Sequence, residues 1–251
     1  MPTINVESSH GGVIFSTVTT TGTGTDAEFH TARGQNLLIK GNPQPSMSVD
    51  PSDAEDTIRC IRQGFSQPFQ FRLARCYYEF DTSSITSGVA SATLDIDVNA
   101  TPFGSIILIK GTDLGSSFNQ FTDYLSPVGI DNTNSDQSYD GVATKYSDET
   151  TLSGTGAQSI TFNISALQDM QSDNEFYVCV MAMHDYEADK PAAIFDGDVL
   201  RWDGRTGTTP PVLNYTLSTG YGDNVNLVAA ANIAKVNGVA TANIEKINGV
   251  D

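Results

Sequence analysis

Few residues of this 251-residue chain have the types and spacing that chemistry requires. The imidazoles are His10, His30 and His184. None stands beside a serine in a nucleophile elbow, and there is neither a phosphate-cradling loop nor a metalloprotease helix motif. Asp95 and Asp97 flank Ile96, which on a strand sets their α-carbons about 7 Å apart on one face. Glycosidase carboxylates flank a cleft, and neighbours on one strand do not. No catalytic residue is therefore assigned, and a non-enzymatic protein is expected.

Two clusters offer metal ligands. The run His184-Asp185-Tyr186-Glu187-Ala188-Asp189 joins one imidazole to flexible carboxylates, which reads as a solvated loop rather than a closed zinc or calcium site. The run Asp131-Asn132-Thr133-Asn134-Ser135-Asp136 supplies the oxygen ligands calcium prefers but lacks the glycine and distant glutamate of an EF-hand loop. Asp131, Asn134 and Asp136 are the calcium candidates, and no other cofactor is expected. Trp202, with Arg201 beside it and Tyr186 upstream, forms the candidate carbohydrate contact. A lone tryptophan late in a sandwich is more commonly a core residue.

Those residues sit on strands and turns. Apolar residues make up 39% and charged residues 17% of the chain, with 22 glycines, a composition of short strands and many turns. Lys and Arg number 13 against 30 Asp and Glu, a net charge of −17, which repels phosphate-rich partners and argues against nucleic-acid binding. The exception is the acid-free run from Thr57 to Tyr78, with Arg59, Arg62, Arg72 and Arg75. These arginines are expected to face outward and pair with surface carboxylates. No apolar run approaches the ~18 residues of a membrane span, and Met1-Pro2-Thr3-Ile4 does not begin a secretory signal, so synthesis in a cytoplasm is expected. Cys60, Cys76 and Cys179 are odd in number and read as buried free thiols.

The chain divides into three. Residues 1–25 read as a strand or arm followed by a Thr/Gly linker, 26–218 as an all-β body, and 219–251 as a tail. Within the body, Leu94, Ile96 and Val98 alternate with Asp95 and Asp97, so the apolar set faces a core and the acids face water. Cys76, Tyr78 and Phe80 alternate likewise, Phe29 reads as part of a β-type run, and Phe176 to Met183 is apolar on both faces, as a central strand is. A short helix is predicted over 165–171 from the capping-box spacing of Ser165 and Gln168. Residues 111–156 read as surface loops with one or two weak strands, the natural place for binding. In the tail, Ala231-Asn232-Ile233-Ala234-Lys235-Val236-Asn237-Gly238-Val239 returns after 11 residues as Ala242-Asn243-Ile244-Glu245-Lys246-Ile247-Asn248-Gly249-Val250. Asn-Gly between branched residues is a strong hairpin signal. Two such units are too small to bury their apolar face alone, which makes Ile233, Val236, Asn237, Gly238, Val239, Ile244, Ile247, Asn248, Gly249 and Val250 the candidate assembly residues.

The run Tyr78-Glu79-Phe80-Asp81-Thr82-Ser83-Ser84-Ile85, followed by Val89 and Ser91-Ala92-Thr93-Leu94, resembles the signature of DNRLRE-type jelly-roll domains. Phe162-Asn163-Ile164-Ser165-Ala166-Leu167 stands where that family enters a helix, with Asn163 in place of its usual acid, and Pro211-Val212-Leu213-Asn214-Tyr215 resembles its closing strand. The resemblance covers roughly residues 25–218. It implies a two-sheet jelly roll used in carbohydrate binding, adhesion or display. The tail repeat separately resembles C-terminal repeats of tailed-phage virion proteins. Together these point to a virion structural protein, attached to other virion proteins or to its own copies, with a carbohydrate- or host-receptor-binding module as the alternative and a host-surface glycan as its partner.

Overall fold

The computed structural model describes residues 2–5, 11–20, 24–34, 46–50, 55–64, 68–100, 103–114, 123–131, 133–134, 136–193, 196–218, 235–236 and 239–240. The strands are β1 (Thr3–Asn5), β2 (Gly11–Thr19), β3 (Ser46–Asp50), β4 (Glu55–Gln63), β5 (Gln70–Asp81), β6 (Val89–Val98) and β7 (Ser105–Lys110). They continue with β8 (Thr150–Thr151), β9 (Gly156–Thr161), β10 (Glu175–Ala182), β11 (Gly197–Asp203), β12 (Val212–Leu217), β13 (Lys235–Val236) and β14 (Val239–Ala240). The helices are α1 (Asp26–Arg33), α2 (Ile164–Ser172) and α3 (Met183–Tyr186), with a 3-10 turn at Asp123–Leu125.

The expected all-β sandwich is the fold. Every strand pair is antiparallel, in the order β1-β12-β6-β11-β4-β5-β10-β7-β8, with β2 and then β3 beside β5 and β9 beside β6. The long strand β5 changes partners along its length within the twelve-stranded sheet. Its Gln70–Ala74 half pairs with β4 and its Cys76–Asp81 half with β10, while β2 runs along its other edge from Gln70 to Tyr78. β4 and β10 therefore part company at Arg75, and the residue at the fork is buried on a strand whose both faces are covered.

The alternation in β6 holds: Leu94, Ile96 and Val98 are buried, whereas Asp95 and Asp97 are half-buried at the surface. Asp95 accepts a hydrogen bond from the Asn214 amide on β12, and Asp97 accepts one from Thr209 at 3.3 Å. β10 lies between β5 and β7 and is the central strand its sequence predicts. The three cysteines are free and buried.

Four expectations are corrected. The strand expected near the N-terminus is β2, but it is no arm set apart from the body: it is hydrogen-bonded along nine register positions of β5, and Val13 and Ile14 are fully buried. Their β-branched and apolar side chains bury too much surface to remain outside the body. Phe29 lies on a helix, because Thr25 and Glu28 make a reciprocal capping box. α2 begins earlier than predicted, with the Asn163 side chain accepting from the Ala166 amide at 3.2 Å. The described part of 111–156 is largely exposed or half-buried and carries the weak strand β8, as expected, but it is not superficial throughout, because Tyr124, Tyr139 and Tyr146 from it are buried in the core.

Candidate functional site

The fork in β5 creates the most unusual chemistry in the molecule. Alternation along β5 turns Arg75 and Tyr77 toward the layer formed by α1, the 123–146 loop and α3, where no solvent reaches the guanidinium. A buried charge is tolerated only when paired and hydrogen-bonded. Asp185 of α3 supplies the pairing as a two-pronged acceptor: Arg75 Nε donates to Oδ2 at 2.7 Å and Nη2 to Oδ1 at 2.9 Å. Arg75 Nη1 donates to the Tyr124 carbonyl at 2.6 Å, and the guanidinium lies 4.0 Å from the Tyr124 ring centre.

Arg33, in the last turn of α1, completes the knot. Its Nε donates to the Asp185 carbonyl at 2.9 Å and to Oδ1 at 3.2 Å, with the guanidinium 4.3 Å from the Tyr139 ring centre. Gly34 ends the helix there at φ 119°, a left-handed conformation that suits glycine. One carboxylate thus holds two arginines from distant parts of the chain, each with an aromatic face beside it. Burial alone would lower the Arg75 pKa, but the Asp185 charge and hydrogen bond outweigh it and carry it well above its ordinary value. The knot joins α1, β5, the 3-10 turn and α3, and its chemistry is cohesive.

The neighbouring residue, His184, faces the other way. Its Nδ1 is 2.9 Å from Asp198 Oδ2 on β11, and its backbone N–H donates to the same oxygen at 2.8 Å. Asp198 is buried, and its second oxygen accepts the Ser105 amide at 2.9 Å. Gly104 permits that approach: at φ 94°, a β-carbon there would lie 1.9 Å from Asp198 Oδ1. Nε2 of His184 faces Asp189 at 3.5 Å. The hydrogen bond to Asp198 raises the His184 pKa; partial burial opposes it, and the charges of Asp198, Asp189 and Asp196 add to it. Both ring nitrogens address carboxylates, so the imidazole ring bridges α3 to β11 and to the segment after α3.

The structure separates the other candidates. Trp202 is 0% exposed and donates its Nε1–H to the Tyr78 hydroxyl at 2.7 Å, which in turn donates to Asp56 at 2.5 Å. Tyr186 is also buried. Neither ring presents a face to a sugar, so their reading as carbohydrate contacts is corrected; Arg201, half-buried, faces Glu55 at 3.7 Å. Asp131 closes a local turn, accepting from the Thr133 amide and hydroxyl at 2.7 and 2.6 Å and from the Asn134 amide at 3.2 Å. Asn134 accepts from the Asp131 amide, and Asp136 is exposed. In the run 184–189, expected as a solvated loop, Glu187 and Asp189 are exposed but Asp185 anchors the buried knot, and Arg75 of the expected surface patch is its partner. Arg59, Arg62 and Arg72 are half-buried, with Arg62 stacked 4.5 Å from the Phe69 ring centre.

A depression beside Tyr77, Glu79, Gly111, Leu114 and Tyr177 has a volume of about 10 Å³, room for one water. Among the described residues no helix is long and apolar enough to cross a membrane. Of the candidate assembly residues, Val236 and Val239 lie on β13 and β14, paired with each other. Ile233, Asn237, Gly238, Ile244, Ile247, Asn248, Gly249 and Val250 lie outside the described residues. No protein-family model matches the chain, and no curated protein is significantly similar to it.

Proposed function

We propose that this chain is a non-enzymatic structural protein of a tailed-phage virion, a β-sandwich body displayed on the head, neck or tail and attached through its C-terminal repeats. It serves as a fibre, decoration or adaptor component, made in the host cytoplasm and carried on the particle. The observation that supports the reading is that β13 and β14 pair with each other and with none of the twelve strands of the main sheet. The closing strand β12 is followed by Ser218, whose amide and hydroxyl both donate to the Gly88 carbonyl, at 2.7 and 3.0 Å. Beyond it, β13 and β14 pair as a two-stranded sheet of their own, with Asn237 and Gly238 between Val236 and Val239. An isolated two-stranded hairpin is marginal in water and gains stability by joining a larger sheet. The repetition of the unit eleven residues later supplies a second such element.

The interior supports a display role. Charged groups are spent on a buried knot that ties four elements together, which favours a rigid body. The alternative, a carbohydrate- or host-receptor-binding module, loses Trp202 and Tyr186 as stacking platforms, since both are buried. Truncation after Ser218 tests the proposal. The body is expected to fold with an unchanged melting temperature and to be lost from assembled particles. A truncated chain that still enters particles, or one that unfolds, overturns the reading.

A further inference from the structure

The ladder has four terminal strands among the described residues: β1, β3, β8 and β9. Natural sheets blunt their edges by shortness, charge or proline, because an open edge pairs with any available strand. β1 has 3 residues and β8 has 2. β3 carries Asp50. β9 has none of these protections: Gly156-Ala157-Gln158-Ser159-Ile160-Thr161 is 6 residues long, without charge or proline. Ala157, Ser159 and Thr161 are exposed, Ile160 is buried, and β9 is held in register to β6 over its whole length.

From these complementary needs we infer that the open edge of β9 in one copy receives the tail hairpin of a second copy. The inference rests on the tail being an attachment element and specifies what it attaches to. β13 and β14 pair only with each other and β9 only with β6 among the described residues, which leaves both edges open to a second chain. Ser218, the last described residue before the tail strands, lies beside Gly88, and β6 carries that point to Thr93, opposite Thr161, over about 17 Å. Residues 219–234 span on the order of 50 Å when extended, enough to cross to a neighbouring body. Charge fits as well. Asp95 and Asp97 lie opposite Ser159 and Ala157, and each tail repeat carries a lysine at the same place, Lys235 and Lys246. Main-chain hydrogen bonds along an added strand give such an interface its affinity.

The test uses the full chain. In an antiparallel edge strand, consecutive residues turn their N–H groups alternately to the neighbour and to the open side. Of Gln158→Pro and Ser159→Pro, one removes a bond to β6 and lowers the melting temperature. The other leaves folding intact and blocks the open edge. Sedimentation velocity on the full chain is expected to show an oligomer. The folded proline variant, with its tail intact, is expected to associate at least tenfold more weakly. A folded edge variant that associates as tightly as its parent, or a full chain that stays monomeric at high micromolar concentration, overturns the inference. The proposed function then still stands or falls on the Ser218 truncation, which reads entry into particles rather than self-association.

Discussion

Asp185→Asn is the most informative single change. It keeps the shape of the side chain and removes a carboxylate bonded to both Arg33 and Arg75. An amide has one acceptor oxygen, so its NH₂ is forced against a guanidinium N–H, donor against donor. Removing one partner of a fully buried ion pair costs about 3–5 kcal/mol, and here two cations lose it at once, so the upper end of that range applies. With a urea slope near 3 kcal/mol/M, the midpoint falls by roughly 1–2 M. The single tryptophan provides the signal, since Trp202 is buried and bonded to Tyr78 and its emission shifts when the core opens. The triple replacement Arg33→Met, Asp185→Leu, Arg75→Met is the control: a well-packed apolar substitute for a buried ion cluster is neutral or stabilising. If Asp185→Asn lost less than about 1 kcal/mol, the knot would not be the anchor described.

His184→Gln tests the bridge through pH. Because the folded-state pKa is raised above the ordinary 6.5, the bridge stabilises fully below that value and its contribution fades as pH rises through the raised one. Wild type and variant are therefore expected to differ in melting temperature at pH 6 and to converge at alkaline pH; a constant difference would contradict the linkage. Cys60, Cys76 and Cys179 are expected to resist thiol reagents in the native protein. Burial pushes all three pKa values up, that of Cys179 to about 12, so rapid native-state labelling would refute their placement. On β6, Ile96→Asp is expected to unfold the body whereas Asp97→Asn changes its stability by less than about 1 kcal/mol, and equal effects in thermal melts would invert the strand's facing.

The body was legible where one rule sufficed. Period-two alternation placed Leu94, Ile96 and Val98, and a doubly apolar run placed β10 at the centre of its sheet. The helix α1 was missed, although Thr25 and Glu28 spell its capping box. The aromatic Phe29 suggested a strand, and the cap carried the better signal. Arg75 was not legible. Nothing local distinguishes it from Arg72, three residues earlier on the same strand, which is half-buried and bonded to Gln70. The difference arises from the parting of β4 and β10 at that residue, a non-local event that opens the space Asp185 fills. Trp202 is a related case. The indole and Tyr78 need each other as hydrogen-bond partners, but they stand 124 residues apart in sequence.

The buried charges do not relieve the acidity of the molecule. Among the described residues Arg33 and Arg75 are buried, but so are Asp56, Glu79, Asp185 and Asp198, so most of the formal −17 lies on the exterior, and two bodies repel at distances beyond contact. Stable association must then rely on segments where charge is sparse and short-range bonding is dense. β9, with no charged residue, and the tail repeats, with one or two charges each and lysine in both, are such segments. At physiological salt the Debye length is about 8 Å, so added salt weakens the repulsion between bodies far more than main-chain bonds at a sheet edge. Association through these segments is strengthened by salt, whereas binding through an exposed arginine patch to acidic partners would be weakened by it.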